Sequence, residues 1–221
     1  ERIVAVSQNI SDIFKIDTIY PLITLLEDKS GSRYSDLKYT ASFRVVPDHI
    51  RSAVFLIADD VMPSNTDRGY FVRRLIRRAV RHADIIGLKN QGLEGLVDYV
   101  VQAYKDTYPN IFEKITSIKK EIAQEEEKFR KTLEKGLKEF EKGVDAFVLF
   151  SSYGFPLELT LELAKEKGIK VDIDKFNEEF KKHQDLSRSG AEQKFKGGLA
   201  DTSEMSVKYH TATHLLHQAL H

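Results

Sequence analysis

The chain has 221 residues, enough for one large or two small domains, and 41% of them are hydrophobic, an ordinary share for a buried core. Lysine plus arginine (34) balances aspartate plus glutamate (34), so no global positive field marks a nucleic-acid ligand, and any such binding must come from local clustering. The absence of cysteine excludes a disulfide framework and any thiolate metal or nucleophile site within these residues; no apolar run approaches membrane-spanning length and no signal segment precedes one, which points to a cytoplasmic protein with no membrane partner.

Helical periodicity dominates, so the expected fold class is mainly α. Glu1-Arg2-Ile3-Val4 is already in a helical pattern and Leu220-His221 stops inside another; with no initiator Met and no caps, both ends read as cuts through a longer protein. Lys38 to Val45 is a weak strand candidate. From Asp48, the residues Ile50, Ala53, Val54, Ile57, Ala58 and Val61 recur at three- and four-residue steps, predicting a helix with Pro47 near its start and Pro63 closing it. A second helix is predicted from Asp67 to about Ile86 and a third from Leu93 to about Tyr104. A long charged helix follows from about Ile111 to Lys142, with an apolar stripe through Ile111, Ile115, Ile118, Ile122, Phe129, Leu133, Leu137 and Phe140 that is interrupted at Glu125-Glu126-Glu127. That gap favours packing against neighbouring helices over a continuous coiled coil. Tyr153-Gly154-Phe155-Pro156 is a turn signal, Pro156 opens a helix to about Lys167, and Gly168 ends it. Another helix is expected from Asp174 to Leu186, then a linker or hairpin from Ser187 to Ser206, and a last helix from about Ser206.

The helix from Asp67 carries the clearest chemistry. At about 100° per residue, Arg73, Arg74, Arg77, Arg78 and Arg81 fall within roughly one third of its circumference, with Phe71, Val72, Leu75, Ile76, Ala79 and Val80 on the other side. Guanidiniums side by side repel unless they face an anion. The phosphates of a nucleic-acid backbone are one natural partner; acidic helices elsewhere, such as the one around Glu125, are the other. Just before this helix, Pro63-Ser64-Asn65-Thr66-Asp67-Arg68-Gly69 offers either side-chain helix caps, which these residue types favour, or an Asn amide aimed at a base edge. His210 and His214, four apart in a predicted helix, are within reach of one metal ion, yet two of zinc's usual ligands are missing, and a surface pair is the commoner meaning of such spacing. Thr211 stands where a zinc protease needs Glu, which disfavours that chemistry.

Together, Phe43-Arg44-Val45-Val46-Pro47-Asp48-His49-Ile50-Arg51, Pro63-Ser64-Asn65, Arg68-Gly69-Tyr70, Arg73 to His82, Tyr153-Gly154-Phe155-Pro156, Phe195-Lys196-Gly197-Gly198-Leu199-Ala200-Asp201 and His210-Thr211-Ala212-Thr213-His214 resemble the alanyl-tRNA synthetases, in the same order and over nearly the whole chain. The resemblance implies a class II enzyme that activates alanine with ATP and Mg²⁺ and esterifies it to the 3′ end of tRNA(Ala). It implies that residues 1–40 close the aminoacylation domain, 41–190 form a helical tRNA-recognition domain with a long charged helix, and 191–221 begin the editing domain. Arg2 then matches an ATP-phosphate position, although the other ligase motifs are absent and this piece alone is expected to be inactive in ligation.

By the same resemblance Asn65 reads a G·U wobble pair in the acceptor stem, overriding the capping expectation, and Arg68, Arg73, Arg74, Arg77, Arg78 and Arg81 lie beside that stem. Ser151 stands where the family has an Asp partner to that Asn; a hydroxyl accepts a weaker hydrogen bond from a guanine amino group than a carboxylate does, so wobble discrimination is expected to be softer or to use another residue. Asp60 and Ala83 stand where the family tends to carry Gly near helix ends, so the exit from the arginine helix is expected to differ at Ala83. His210 and His214 match the first two zinc ligands of the family's editing site, left incomplete here. A stand-alone tRNA-editing hydrolase and a non-catalytic helical RNA-binding module are the competing classes. The sequence leaves the oligomeric state of the parent undetermined.

Overall fold

A computed structural model of the chain describes residues 1–89 and 92–194 and, beyond these, residues 205, 208, 209, 212, 218 and 219. All regular secondary structure among the described residues is helical. The first of two compact units, Glu1–Lys170, contains α1 (Arg2–Ser7), a 3-10 turn at Ile13–Lys15, α2 (Tyr20–Ser30), α3 (Leu37–Ala58), α4 (Asp67–Ile85), α5 (Gly95–Tyr104), α6 (Pro109–Glu113), α7 (Ile115–Glu141), α8 (Ala146–Tyr153) and α9 (Leu157–Lys167). The second, Val171–His221, contains α10 (Ile173–Lys194), on which the rings of Phe176 and Phe180 stack with centroids 5.8 Å apart. No helix among the described residues is long and apolar enough to cross a membrane.

The weak strand candidate at Lys38 to Val45 is helical. Asp36 starts α3 by accepting a hydrogen bond from the Lys38 amide at 3.2 Å. The buried stripe then runs as Phe43, Val46, Ile50, Ala53, Val54 and Ile57, a helical period that continues straight through Pro47. Pro47 therefore lies inside α3 rather than at its start, at the cost of one backbone hydrogen bond. The boundary expected between residues 40 and 41 falls within this helix, and the one at 190/191 falls within α10, which continues through Ser187 to Lys194 where a linker was expected.

The long charged helix is broken at Lys114, whose ammonium instead donates to the Ala58 carbonyl at 2.8 Å and to Asp60 at 2.7 Å, finishing the end of α3. Asp60 there is left-handed (φ 62°), a conformation Asp tolerates. Ala83 behaves otherwise. It is fully buried within α4, and the left-handed residue that follows the helix is Gly87 (φ 95°).

α3 packs along α4, and α7 lies against α4 and α8. Phe43, Ile50, Ile76, Phe129 and Phe155 are fully buried in this core, each worth about 1.5–3 kcal/mol relative to exposure. The gap in the α7 stripe is filled by carboxylates: Glu125 and Glu126 occupy core-facing positions and are themselves buried. Glu126 accepts from the Leu93 amide (3.1 Å) and from Arg130 Nε (2.9 Å), thereby tying α7 to the segment that leads into α5. Burial pushes its carboxyl above the ordinary range in spite of Arg130.

Candidate nucleic-acid interface

The helix α4 starts without a side-chain cap: none of Asn65, Thr66 and Asp67 closes its first turn, and Asp67 itself has φ 51°. Ser64 organises the turn instead. Its amide donates to the Gly69 carbonyl at 3.0 Å and its hydroxyl to the Thr66 carbonyl at 2.7 Å. The loop presses so closely on Gly69 that a Cβ there would lie 2.3 Å from both the Met62 carbonyl and Ser64 Oγ, which explains the glycine in the first turn of the helix.

Freed from capping, Asn65 is exposed, and its Oδ1 accepts a hydrogen bond from Arg73, eight residues further on. That bond fixes the amide, leaving the Nδ2 donors on the side away from Arg73. Arg68, also exposed, makes no ion pair among the described residues.

Arg73, Arg74, Arg77, Arg78 and Arg81 share one face, as the periodicity predicts, but each meets a protein carboxylate. Arg77 donates from Nε to Glu125 at 2.7 Å and from Nη1 to the Gly154 carbonyl at 2.6 Å, while its guanidinium lies 5.2 Å from the centre of the Phe129 ring. Arg73 Nε sits 3.3 Å from the same Glu125 oxygen, and burial draws its guanidinium below the usual arginine range. On α9, Glu158 pairs with Arg74, Glu162 with Arg78 (Nε–Oε1 2.9 Å) and Glu166 with Arg81 (3.7 Å). Glutamates at i, i+4 and i+8 thus run beside arginines at i, i+4 and i+7. Of the two partners weighed for this face, the acidic helices occupy it.

The middle rung extends inward. Arg78 Nη1 donates to His49 Nε2 at 2.9 Å, which leaves His49 Nδ1 to donate to Asp48 at 3.0 Å. His82, buried, bonds Ser42 through Nδ1 at 3.0 Å and faces Glu162 at 3.5 Å. Burial raises the Glu162 carboxyl, but hydrogen bonds from His82 and Arg78 outweigh it and hold the pKa at about 2. This network was not anticipated from sequence, although the four-residue spacing of Glu158, Glu162 and Glu166 is visible there.

Phe71, assigned to the apolar side by periodicity, is 53% exposed, with the Arg74 guanidinium 4.8 Å from its ring centre. Tyr70 packs edge-on against Phe150 of α8 (6.3 Å), so the start of α4 and the helix carrying Ser151 share one neighbourhood. Ser151 is exposed, with its hydroxyl 3.5 Å from the Val148 carbonyl, too long to occupy it firmly. The turn after α8 is pinned to α4 at Gly154, which is left-handed (φ 69°) and whose missing Cβ would stand 2.0 Å from Arg77 Nη1.

Arg2 is exposed on α1 and makes no ion pair among the described residues. His210 and His214 lie outside the described residues, and among those described no cluster of three or more His, Asp or Glu is placed to hold a metal ion.

A family model described as tRNA synthetases class II (A) matches residues 1–220. The chain is 44% identical to the alanine-tRNA ligase of Borrelia hermsii, with all of this chain and 40% of that protein aligned. It is 44% identical to that of Treponema pallidum (all of this chain, 39% of the relative) and 42% identical to that of Thermotoga maritima (86% and 23%). It spans about two fifths of the length of the first two of these relatives. With a match over practically its whole length, the chain belongs to the family of class II (A) tRNA synthetases.

Proposed function

We propose that this chain is the acceptor-stem-reading part of an alanine-tRNA ligase, a cytoplasmic enzyme whose intact form joins alanine to tRNA(Ala) with ATP and Mg²⁺ and edits mischarged tRNA with zinc. In this reading residues 1–40 finish the aminoacylation domain, 41–190 read the tRNA, and 191–221 begin the editing domain. Arg2 contributes a contact to ATP phosphate, and His210 and His214 supply part of the zinc ligation. One arginine and two histidines are too few to build either centre, so ligation and editing belong to the longer protein.

The observation that carries the reading is Asn65. A polar residue in the turn before a helix is ordinarily a cap; here it is exposed, held by Arg73 and not spent on the helix end. Its Nδ2 donors suit the acceptor atoms that a wobble pair presents in the wide, shallow minor groove of an RNA stem. Arg68 supplies a nearby phosphate contact, and Ser151, on the helix packed against Tyr70, faces the second base. Arg73, Arg74, Arg77, Arg78 and Arg81 act mainly as positioning residues, locking α4 to α7 and α9 so that Asn65 is presented rigidly.

Binding of the chain to acceptor-stem hairpins that differ only in G·U against G·C tests this reading. Asn65→Ala is expected to erase most of the preference, a loss of about 1–3 kcal/mol of discrimination, and Ser151→Asp to increase it. Equal affinities for the two stems in all three proteins would refute it.

A further inference from the structure

With Arg73, Arg74, Arg77, Arg78 and Arg81 of α4 committed to glutamates, the RNA backbone needs cations beyond Arg68, and α7 presents them. Lys128, Lys131, Lys135, Lys138 and Lys142 are all exposed. At about 100° per residue they fall within roughly 80° of the helix circumference and run for about 21 Å along it. We propose that this lysine stripe is a phosphate track for the strand of RNA leading away from the pair read by Asn65 and Ser151.

The location supports that assignment. The stripe's far end lines a groove of about 400 Å³ through Lys135, Lys138 and Lys142, together with Glu139, Glu141 and Tyr153, the tyrosine standing two residues after Ser151. Thr132, next to the stripe, donates to the Tyr153 carbonyl at 3.0 Å, and Gly136 lies under the Phe155 ring so closely that a Cβ would be 2.3 Å from it. The track and the base-reading turn are therefore parts of one packed surface.

The charge balance points the same way. Lys131, Lys138 and Lys142 each touch one carboxylate three or four residues away, in pairs whose lysines are about two thirds exposed. Such pairs are weak and open readily to a phosphate. Lys128 and Lys135 form no ion pair among the described residues, and the flanking Glu141 is held by Lys167 of α9. This differs from the inner end of the α4 row, where the side chains of Arg77 and its partner Glu125 are both buried or nearly so.

The proposal rests on the acceptor-stem reading and is separated from it by salt dependence. Fluorescence anisotropy of the full chain with labelled G·U and G·C hairpins, across a salt series, compares the parent with a Lys128→Gln/Lys135→Gln/Lys138→Gln variant. A Lys→Arg set at the same positions and a Lys15→Gln/Lys38→Gln/Lys89→Gln set serve as controls, with circular dichroism to check the fold. The expected result is affinity weaker by about tenfold or more for both stems alike, a salt slope shallower by about 2–3, an unchanged G·U preference and recovery in the arginine set. Parental affinity and slope in the glutamine variant, with G·U preference intact in the parent, would overturn the track alone. No RNA binding by the parent would overturn both readings. Loss confined to a polyglutamate probe would assign the stripe to an acidic partner and also overturn the track.

Discussion

Replacing Glu125 with alanine removes the carboxylate that two arginines share. Glu125 is 2% exposed, and it lies 2.7 Å from Arg77 Nη2 and 3.3 Å from Arg73 Nε. Removing one partner of a buried pair leaves the other charge without compensation, a loss of about 3–5 kcal/mol. For a protein of this length each kcal/mol lowers Tm by roughly 2–4 °C, so the expected fall is about 6–20 °C. Thermal unfolding at pH 7, followed by helical circular dichroism, measures it. Glu166→Ala is the internal comparison: Glu166 is 54% exposed, 3.7 Å from Arg81, and its removal is expected to cost less than about 1 kcal/mol. A loss at Glu125 no larger than at Glu166 would refute the view that the arginine face is held together by its buried carboxylate.

Glu162 predicts an acid limit. Its folded pKa of about 2 lies below the ordinary 4.5, so it contributes stability at pH values above about 4.5 that is lost as pH falls toward 2. Glu162→Gln is therefore expected to be less stable at pH 7 and to show a flatter decline between those values; parallel pH profiles would contradict the assignment. Gly154→Ala is expected to cost about 1–2 kcal/mol for the left-handed backbone alone, and more once the Cβ displaces Arg77, measured as a lowered urea midpoint.

Much of the fold was legible because helices announce themselves by local spacing. The apolar steps of α4, α5 and α9, the turn at Tyr153-Gly154 and the stop at Gly168 follow from near-neighbour chemistry, and the structure reproduces them within a few residues. The break at Lys114 was not legible, since the lysine finds its partners at Ala58 and Asp60, more than fifty residues away. Pro47 misled for a related reason: on local grounds a proline belongs in the first turn of a helix, but the buried stripe of α3 on both sides of it holds the helix together.

The candidate site divides the same way. Sequence by itself determined that five arginines share one face of α4, that Asn65 stands at its start, and, through its motifs, the family to which the chain belongs. Periodicity reports which side chains point together. It carries no information on what stands opposite them, which depends on residues far apart in the chain. Only the tertiary structure decided that Glu125, Glu158, Glu162 and Glu166 take those arginines, that Asn65 is held by Arg73 instead of capping the helix, and that Lys128, Lys131, Lys135 and Lys138 stand exposed along one side of α7.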